Sequence, residues 1–271
     1  MFNINNRIFY GKSVENGTLI CSIDPETSQP VSEGFINEAL DAFDGENSKY
    51  DFRMYECDDN IYVLAKNKIY KLDNKNTEVI FDNISSLYIY DNKCYYSLFE
   101  DNEFSTYELK GSGGIWCYDF NTHDNTEIVN KEAIKNYNSI ESISGDVCGV
   151  QNIIAEENKI YFLGAFDPTQ ISVFNEETEE IVNLTDYFRT KMFKKYKDKL
   201  YFIDRQHRLR SVSDEGNMDV IINAYVYAFS IYNDKIYYYR VTRDIGHPSE
   251  LVEFDMTSQT EKIISKSTDA D

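Results

Sequence analysis

The chain has 271 residues, and its charge and apolar patterning argue against two classes of partner. A formal charge of −20 argues against nucleic acid, because phosphate binding requires clustered Lys and Arg side chains. No apolar run approaches the roughly 20 residues that a membrane helix needs, and residues 1–6 lack the basic start and apolar stretch of a secretory signal. As written, the sequence predicts a soluble, cytoplasmic protein; if Met1 is not the natural start, the expectation becomes an extracellular one.

Aromatic residues make up 15% of the chain, with 22 Tyr and 17 Phe against four Pro. Strands favour such side chains on half-buried pleated surfaces, so the composition favours an all-β fold. The five cysteines are irregularly spaced and include no Cys-x-x-Cys pair. We therefore expect reduced, mostly buried thiols rather than a disulfide framework or a zinc site.

In chain order, one strand signature recurs six times: an Asn or Asp, a second residue that is most often Lys, and then a short run of aliphatic and aromatic residues. The six copies are Asn6–Tyr10, Asp59–Val63, Asn92–Tyr96, Asn158–Phe162, Asp198–Phe202 and Asp234–Tyr238. Asn and Asp tolerate left-handed backbone angles, so each copy predicts a tight hairpin turn that connects it to a preceding strand.

A third predicted strand follows each copy and tends to end in Asp or Asn, and a polar turn then leads to a shorter fourth strand. Four strands per unit and six units predict an all-β, six-bladed β-propeller with four-stranded antiparallel blades. We expect a single domain over residues 1–271. Its approximate blades are 1–31, 52–82, 86–130, 150–184, 190–223 and 225–266, and its long loops are 31–51, 99–113, 130–148 and 241–250.

The strand Leu200-Tyr201-Phe202-Ile203-Asp204 resembles the Leu-Tyr-Trp-Thr-Asp strand of the six-bladed propellers of low-density-lipoprotein receptors. It is also similar to a bacterial six-bladed propeller family of unknown function. No copy carries the Trp, and most copies lack the terminal Asp. The resemblance implies the fold and implies no ligand.

Binding residues concentrate in loops on a rigid scaffold, and in a propeller the loops between second and third strands share a face with the connections between blades. Two neighbouring blades place cationic or proton-transferring groups in such loops, which makes them the candidate ligand-binding residues: Arg205, His207, Arg243, Asp244 and His247. The alternative is that these are solvated loop residues. A third histidine, His123, is expected on the opposite face.

Four carboxylates crowd one loop, at Asp41, Asp44, Glu46 and Asp51. Hard cations bind clustered oxygen ligands, so calcium is one interpretation of this loop. The order of these residues does not match an EF-hand, and the favoured interpretation is a solvated acidic loop, preceded by a helical turn over residues 34–40. We therefore expect no cofactor, with calcium as the alternative.

The sequence contains neither a Gly-x-Ser-x-Gly elbow nor a phosphate-binding Gly-rich loop that leads into a helix. It therefore favours a non-catalytic binding or scaffold propeller that presents its looped face to a protein or peptide. Two alternatives stay open: a calcium-assisted hydrolase that acts on a sugar or lactone, and a glycan-binding propeller.

Overall fold

The structure is a computed structural model, and it describes residues 2–4, 7–23, 29–37, 53–57, 60–65, 68–73, 76–98, 114–130, 133, 150–164, 170–185, 193–241 and 250–266. Within these residues, 24 strands form six four-stranded antiparallel sheets. Each sheet uses four strands that are consecutive in the sequence. The predicted all-β class and the predicted four-stranded unit are both confirmed.

Sheet 1 contains β1 (Phe2–Ile4), β2 (Arg7–Val14), β3 (Gly17–Ile23) and β4 (Pro30–Ile36), and sheet 2 contains β5 (Arg53–Cys57), β6 (Asn60–Ala65), β7 (Lys68–Asp73) and β8 (Asn76–Phe81). Sheet 3 contains β9 (Ile84–Tyr90), β10 (Lys93–Leu98), β11 (Ile115–Asp119) and β12 (Asn125–Val129), and sheet 4 contains β13 (Val150–Glu156), β14 (Lys159–Gly164), β15 (Ile171–Asn175) and β16 (Glu180–Asn183). Sheet 5 contains β17 (Phe193–Tyr196), β18 (Lys199–Ile203), β19 (Leu209–Ser213) and β20 (Met218–Ile222), and sheet 6 contains β21 (Val226–Tyr232), β22 (Lys235–Arg240), β23 (Glu250–Asp255) and β24 (Thr260–Lys266).

The chain divides into two compact units, Met1–Ala155 and Glu156–Asp271. In the first unit, apolar side chains of sheet 2 pack against sheet 1 through Ile20 and Ile36, and against sheet 3 through Leu87. In the second unit, sheet 5 packs against sheet 6 in the same way. Among the described residues, no helix has the length and apolar character required to cross a membrane.

The repeated signature supplies the packing between sheets. Tyr62 and Tyr201 occupy the fourth position of their copies, and each is buried in a cluster that includes the following sheet. Tyr161, at the same position of the copy in sheet 4, is also buried and contacts sheet 5 through Asp214. Burial of an aromatic side chain of this size contributes about 2 kcal/mol or more. The signature therefore has a structural role, which is to pack one sheet against the next.

The predicted turns before the second strands are present in the described residues. Asp91 and Asn92 both adopt left-handed angles, as do Asn233 and Asp234, with φ between 47° and 58°. Two central residues with positive φ define the type I′ hairpin turn, whose twist matches that of the flanking strands. This is the physical reason for Asn and Asp at these positions.

The Asp or Asn at the end of the third strand also has a structural role. Its side-chain oxygen accepts the main-chain N–H groups of the residues two and three positions later, at 2.8–3.3 Å; this occurs at Asp119, Asn175 and Asp255. A left-handed residue then ends each loop: His123, Glu179 and Gln259. The side chain thus satisfies N–H groups that the sheet leaves unpaired.

Sheet 1 differs from the prediction. Its fourth strand, β4, runs to Ile36, so the predicted loop from residue 31 and the predicted helical turn from residue 34 are wrong as far as Ile36. Leu19 pairs with Phe35, and a bulge between Ile20 and Cys21 shifts the register. A Cβ atom on Gly34 would lie 3.0 Å from Leu72 Cδ2, so close sheet packing explains this glycine.

The two cysteines of sheet 3 lie on neighbouring strands but not opposite each other. Cys94 pairs with Tyr118, and Tyr95 pairs with Cys117. Successive strand residues point to opposite faces, so the two thiols face apart. Within the described residues, Cys21, Cys94 and Cys117 form no disulfide.

Candidate binding surface

The turn between β18 and β19 is built around Asp204. The Asp204 carboxylate accepts the main-chain N–H groups of Gln206 at 2.8 Å and Arg208 at 2.9 Å. The main chain of the turn closes on itself, because Asp204 N–H donates to the Arg208 carbonyl and His207 N–H donates to the Asp204 carbonyl. His207 adopts a left-handed φ of 60°, which a histidine tolerates better than a branched residue. One side chain therefore determines the conformation of the turn.

The same carboxylate holds two arginines. Asp204 Oδ2 lies 2.8 Å from Arg208 Nη2 and 2.6 Å from Arg210 Nε, and the Asp204 side chain is only 1% exposed. Desolvation raises the pKa of Asp204, but the hydrogen bonds from Arg210 and Arg208 outweigh it, so this pKa lies below its ordinary value. Asp204 is therefore ionised at neutral pH.

The turn contacts the connection between sheets 5 and 6. The His207 imidazole stacks on the Tyr225 ring, with 3.9 Å between ring centroids and an interplanar angle of 11°. Val226 N–H, at the start of β21, donates to the His207 carbonyl at 2.7 Å. We predicted that a loop between second and third strands lies beside a connection between sheets. This prediction is confirmed here. Arg205, His207 and Tyr225 are exposed, Tyr225 by 41%.

We call Arg205, His207 and Tyr225 the stacked turn surface. Of the five predicted ligand-binding residues, Arg205 and His207 lie together on this surface. Arg243, Asp244 and His247 lie in residues 242–249, outside the described residues. His123 lies in the turn between β11 and β12, where its Nδ1 is 2.8 Å from the Tyr118 hydroxyl.

Sequence reasoning did not find Tyr225, because its role depends on contact with the preceding sheet rather than on a local pattern. The Asp204 cluster did have a signal. Arg208 and Arg210 are two positions apart where β19 begins, and side chains two positions apart share a face of a strand. An Asp at the end of the preceding strand is then placed to bind both.

A second polar cluster joins sheets 4 and 5 near their tight turns. The Tyr161 hydroxyl donates to Asp214 Oδ1 at 2.9 Å and accepts from Lys195 Nζ at 3.0 Å. Lys195 also pairs with Glu156 at 2.8 Å, and Lys159 pairs with Asp214. Burial, followed by the hydrogen bond to Asp214, raises the pKa of Tyr161, so its hydroxyl stays protonated.

Three lysines in and after β17 have carboxylate partners. Lys195 pairs with Glu156, Lys197 pairs with Asp234, and Lys199 pairs with Asp219. Two of these pairs connect neighbouring sheets. These three lysines therefore stabilise the sheets and the contacts between them.

Among the residues that the structure describes, no group of three or more His, Cys, Asp and Glu side chains could hold a metal ion. Asp41, Asp44, Glu46 and Asp51 lie outside those residues. Calcium binding by this loop stays a prediction.

No protein-family model and no curated protein matches the sequence. Solved structures do match the fold. A chain of a nidogen/laminin complex is 10% identical with a TM-score of 0.53, over 94% of this chain and 91% of that one. The fold is a six-bladed β-propeller.

Two further similar structures are parts of longer chains. The extracellular domain of a putative one-component system from B. thetaiotaomicron is 11% identical with a TM-score of 0.57, over 95% of this chain and 35% of that one. PorZ, a surface component of the type-IX secretion system of Porphyromonas gingivalis, is 15% identical with a TM-score of 0.55, over 81% of this chain and 28% of that one. At these identities the likeness shows the fold alone.

Proposed function

We propose that this propeller is a non-catalytic binding module that takes a protein or peptide partner on the stacked turn surface. The observation that carries the proposal is the exposed His207–Tyr225 stack, at 3.9 Å between centroids, in a turn whose main chain is held by the buried Asp204 carboxylate. Aromatic and arginine side chains are the residue types that dominate binding energy at protein interfaces.

The rigidity of this surface favours binding. His207 is held by two main-chain hydrogen bonds, one within the turn and one to Val226 of the next sheet. Ordering a loose side chain on binding costs about 0.5–1.5 kcal/mol, and a surface that is already ordered avoids most of this cost. The same side chains on a mobile loop would bind more weakly.

The comparisons support the choice of partner. One similar propeller chain comes from a complex of nidogen with laminin, and the repeated strand resembles that of low-density-lipoprotein receptor propellers. These two likenesses lead us to propose that the partner of this chain is a protein. They also lead us to propose that its repeated strand is of the low-density-lipoprotein receptor type.

The test begins with a displayed library of random peptides selected on the purified full chain. Peptides from the selection are synthesised, and their Kd values are measured for wild type, His207→Ala, Tyr225→Ala and Arg205→Ala. Truncation of a central aromatic costs about 2 kcal/mol, so we expect His207→Ala and Tyr225→Ala to weaken binding roughly 30-fold.

Tyr232→Ala is the matched control. Tyr232 is 66% exposed and lies at the opposite end of β21, beside the tight turn at Asn233. Its truncation should change Kd less than twofold, and all four variants should melt within a few degrees of wild type. Selected peptides that bind every variant equally would contradict the proposal, as would binding of glycans on an array that depends on Tyr225 while no peptide is selected.

A further inference from the structure

The stacked turn surface lies on a locally basic segment of a strongly acidic protein. Residues 204–210 contain three arginines against one aspartate, which leaves a formal charge of +2, whereas the whole chain carries −20. Arg205 is exposed, and Arg208 and Arg210 are partly exposed, with side-chain exposures of 25% and 16%. The positive charge is therefore accessible to a ligand.

The single carboxylate of this segment is not accessible in the same way. Asp204 is 1% exposed and already contacts two guanidinium groups and two main-chain N–H groups. An approaching ammonium or guanidinium group would meet the arginines and not the carboxylate that they cover. Like charges in juxtaposition disfavour such a partner.

Local charge decides the interaction at physiological salt. The Debye length is about 8 Å at 0.15 M ionic strength, so exposed acidic groups farther away than that are largely screened. A ligand in contact with the turn responds to Arg205 and its neighbours more than to the net charge of the chain. The net charge instead affects the long-range approach at low salt.

We infer that the partner segment is acidic: an extended peptide whose Asp or Glu carboxylate pairs with the Arg205 guanidinium while an apolar or aromatic neighbour lies on the His207–Tyr225 stack. This inference rests on the proposed function and specifies its ligand. Arginine binds carboxylates with two parallel N–H···O bonds, which gives this pairing directional specificity.

The experiment uses the peptides that are selected on the full chain. We expect them to be enriched in Asp and Glu relative to the unselected library. Substitution of their acidic residues by Asn or Gln should weaken binding to wild type at least tenfold. Arg205→Glu should weaken binding of the original acidic peptides at least tenfold as well.

Lys262→Glu is the matched control, because Lys262 is exposed on β24 and its replacement changes the net charge by the same amount. It should change Kd less than twofold, which separates local from overall charge. Peptides that depend on His207 and Tyr225, but are neutral or basic and bind Arg205→Glu normally, would overturn this inference and leave the proposed function standing. If no peptide depends on His207 or Tyr225, the proposed function fails as well.

Discussion

Asp204 directly follows β18, and its one buried carboxylate binds both the main chain of the turn and the arginines. We expect Asp204→Asn to destabilise the protein by about 2 kcal/mol, because an amide can accept on one atom only and presents N–H groups to the guanidinium groups. The full desolvation penalty does not apply, since both arginines keep partial access to water. Urea denaturation at pH 7 measures this difference. Equal midpoints for the two proteins would contradict it.

The Asp204 contribution should also depend on pH in a defined window. Its pKa in the folded protein lies below the ordinary value of about 3.9, so its stabilisation is complete above about pH 5 and is lost progressively as the pH falls from there through the lower, folded-state pKa. The difference between wild type and Asp204→Asn should therefore be the same at pH 7 and pH 5.5 and should shrink at pH 3. A difference that shrinks between pH 7 and pH 5.5 would show that another group is responsible.

Two buried serines provide a matched pair. Ser211 is fully buried, and its hydroxyl makes no hydrogen bond within the described residues, whereas the Ser172 hydroxyl donates to Asn183 at 2.7 Å. A buried hydroxyl without a partner costs about 1–3 kcal/mol. We expect Ser211→Ala to raise the melting temperature and Ser172→Ala to lower it. If both substitutions lower it by the same amount, the Ser211 hydroxyl has a partner that offsets its burial.

At the scale of the element, the loop after β15 tests the role of the side chain that ends the third strand. Asn175→Ala removes two hydrogen bonds to the main chain and should cost about 1 kcal/mol. Asn175→Asp should retain most of the stability, because Asp119 and Asp255 occupy the equivalent position in sheets 3 and 6. Thermal unfolding of the two variants compares them. Equal losses in both would show that the carbonyl oxygen is not the group that matters.

The contact between Tyr161 and Asp214 joins two sheets, and a double-mutant cycle measures it. Tyr161→Phe and Asp214→Asn should each destabilise the protein, and the double variant should be more stable than the sum of the two losses predicts, by about 1 kcal/mol. Tyr161→Phe keeps the buried ring, so the cycle reports the hydroxyl alone. Simple additivity of the two losses would show that the contact contributes no coupling energy.

The sequence predicts these elements well where the signal is local. The Asn or Asp of the signature and the aromatic residue three positions later can be recognised from a few residues, and the six copies form second strands in all six sheets. In sheets 3 and 6 the Asn or Asp that begins the copy has a left-handed φ, whereas in sheets 4 and 5 the left-handed residue is the one before it, Glu157 or Lys197. The prediction fails at β4, where Pro30 and Gly34 indicate a loop. There, pairing with β3 and close packing against Leu72 outweigh the local preference.

For the whole molecule, the number of blades is predictable and the binding surface is only partly so. Arg205 and His207 follow from their place in a loop of the scaffold, but the stacking of Tyr225 on His207 arises between sheets. A contact between sheets depends on how each blade sits on its neighbour, and no short pattern in the sequence records it. The extent of the domain, residues 1–271, stays a prediction.

The net charge of −20 leads to the last prediction. Repulsion among so many carboxylates destabilises a compact chain, and salt at 0.1 M largely screens the repulsion between exposed charges that are more than about 10 Å apart. We therefore expect the melting temperature at pH 7 to rise as KCl increases from about 10 to 300 mM, a range that spans Debye lengths of roughly 30 Å to below 8 Å. Lys262→Glu should lower the melting temperature more at low salt than at high salt.

Millimolar MgCl2 and CaCl2 should act alike if screening is the cause, whereas a larger effect of calcium would indicate cation binding by carboxylates such as Asp41 and Asp44. A melting temperature that falls with KCl would show that the ion pairs of the described sheets, such as Lys195 with Glu156, outweigh the repulsion.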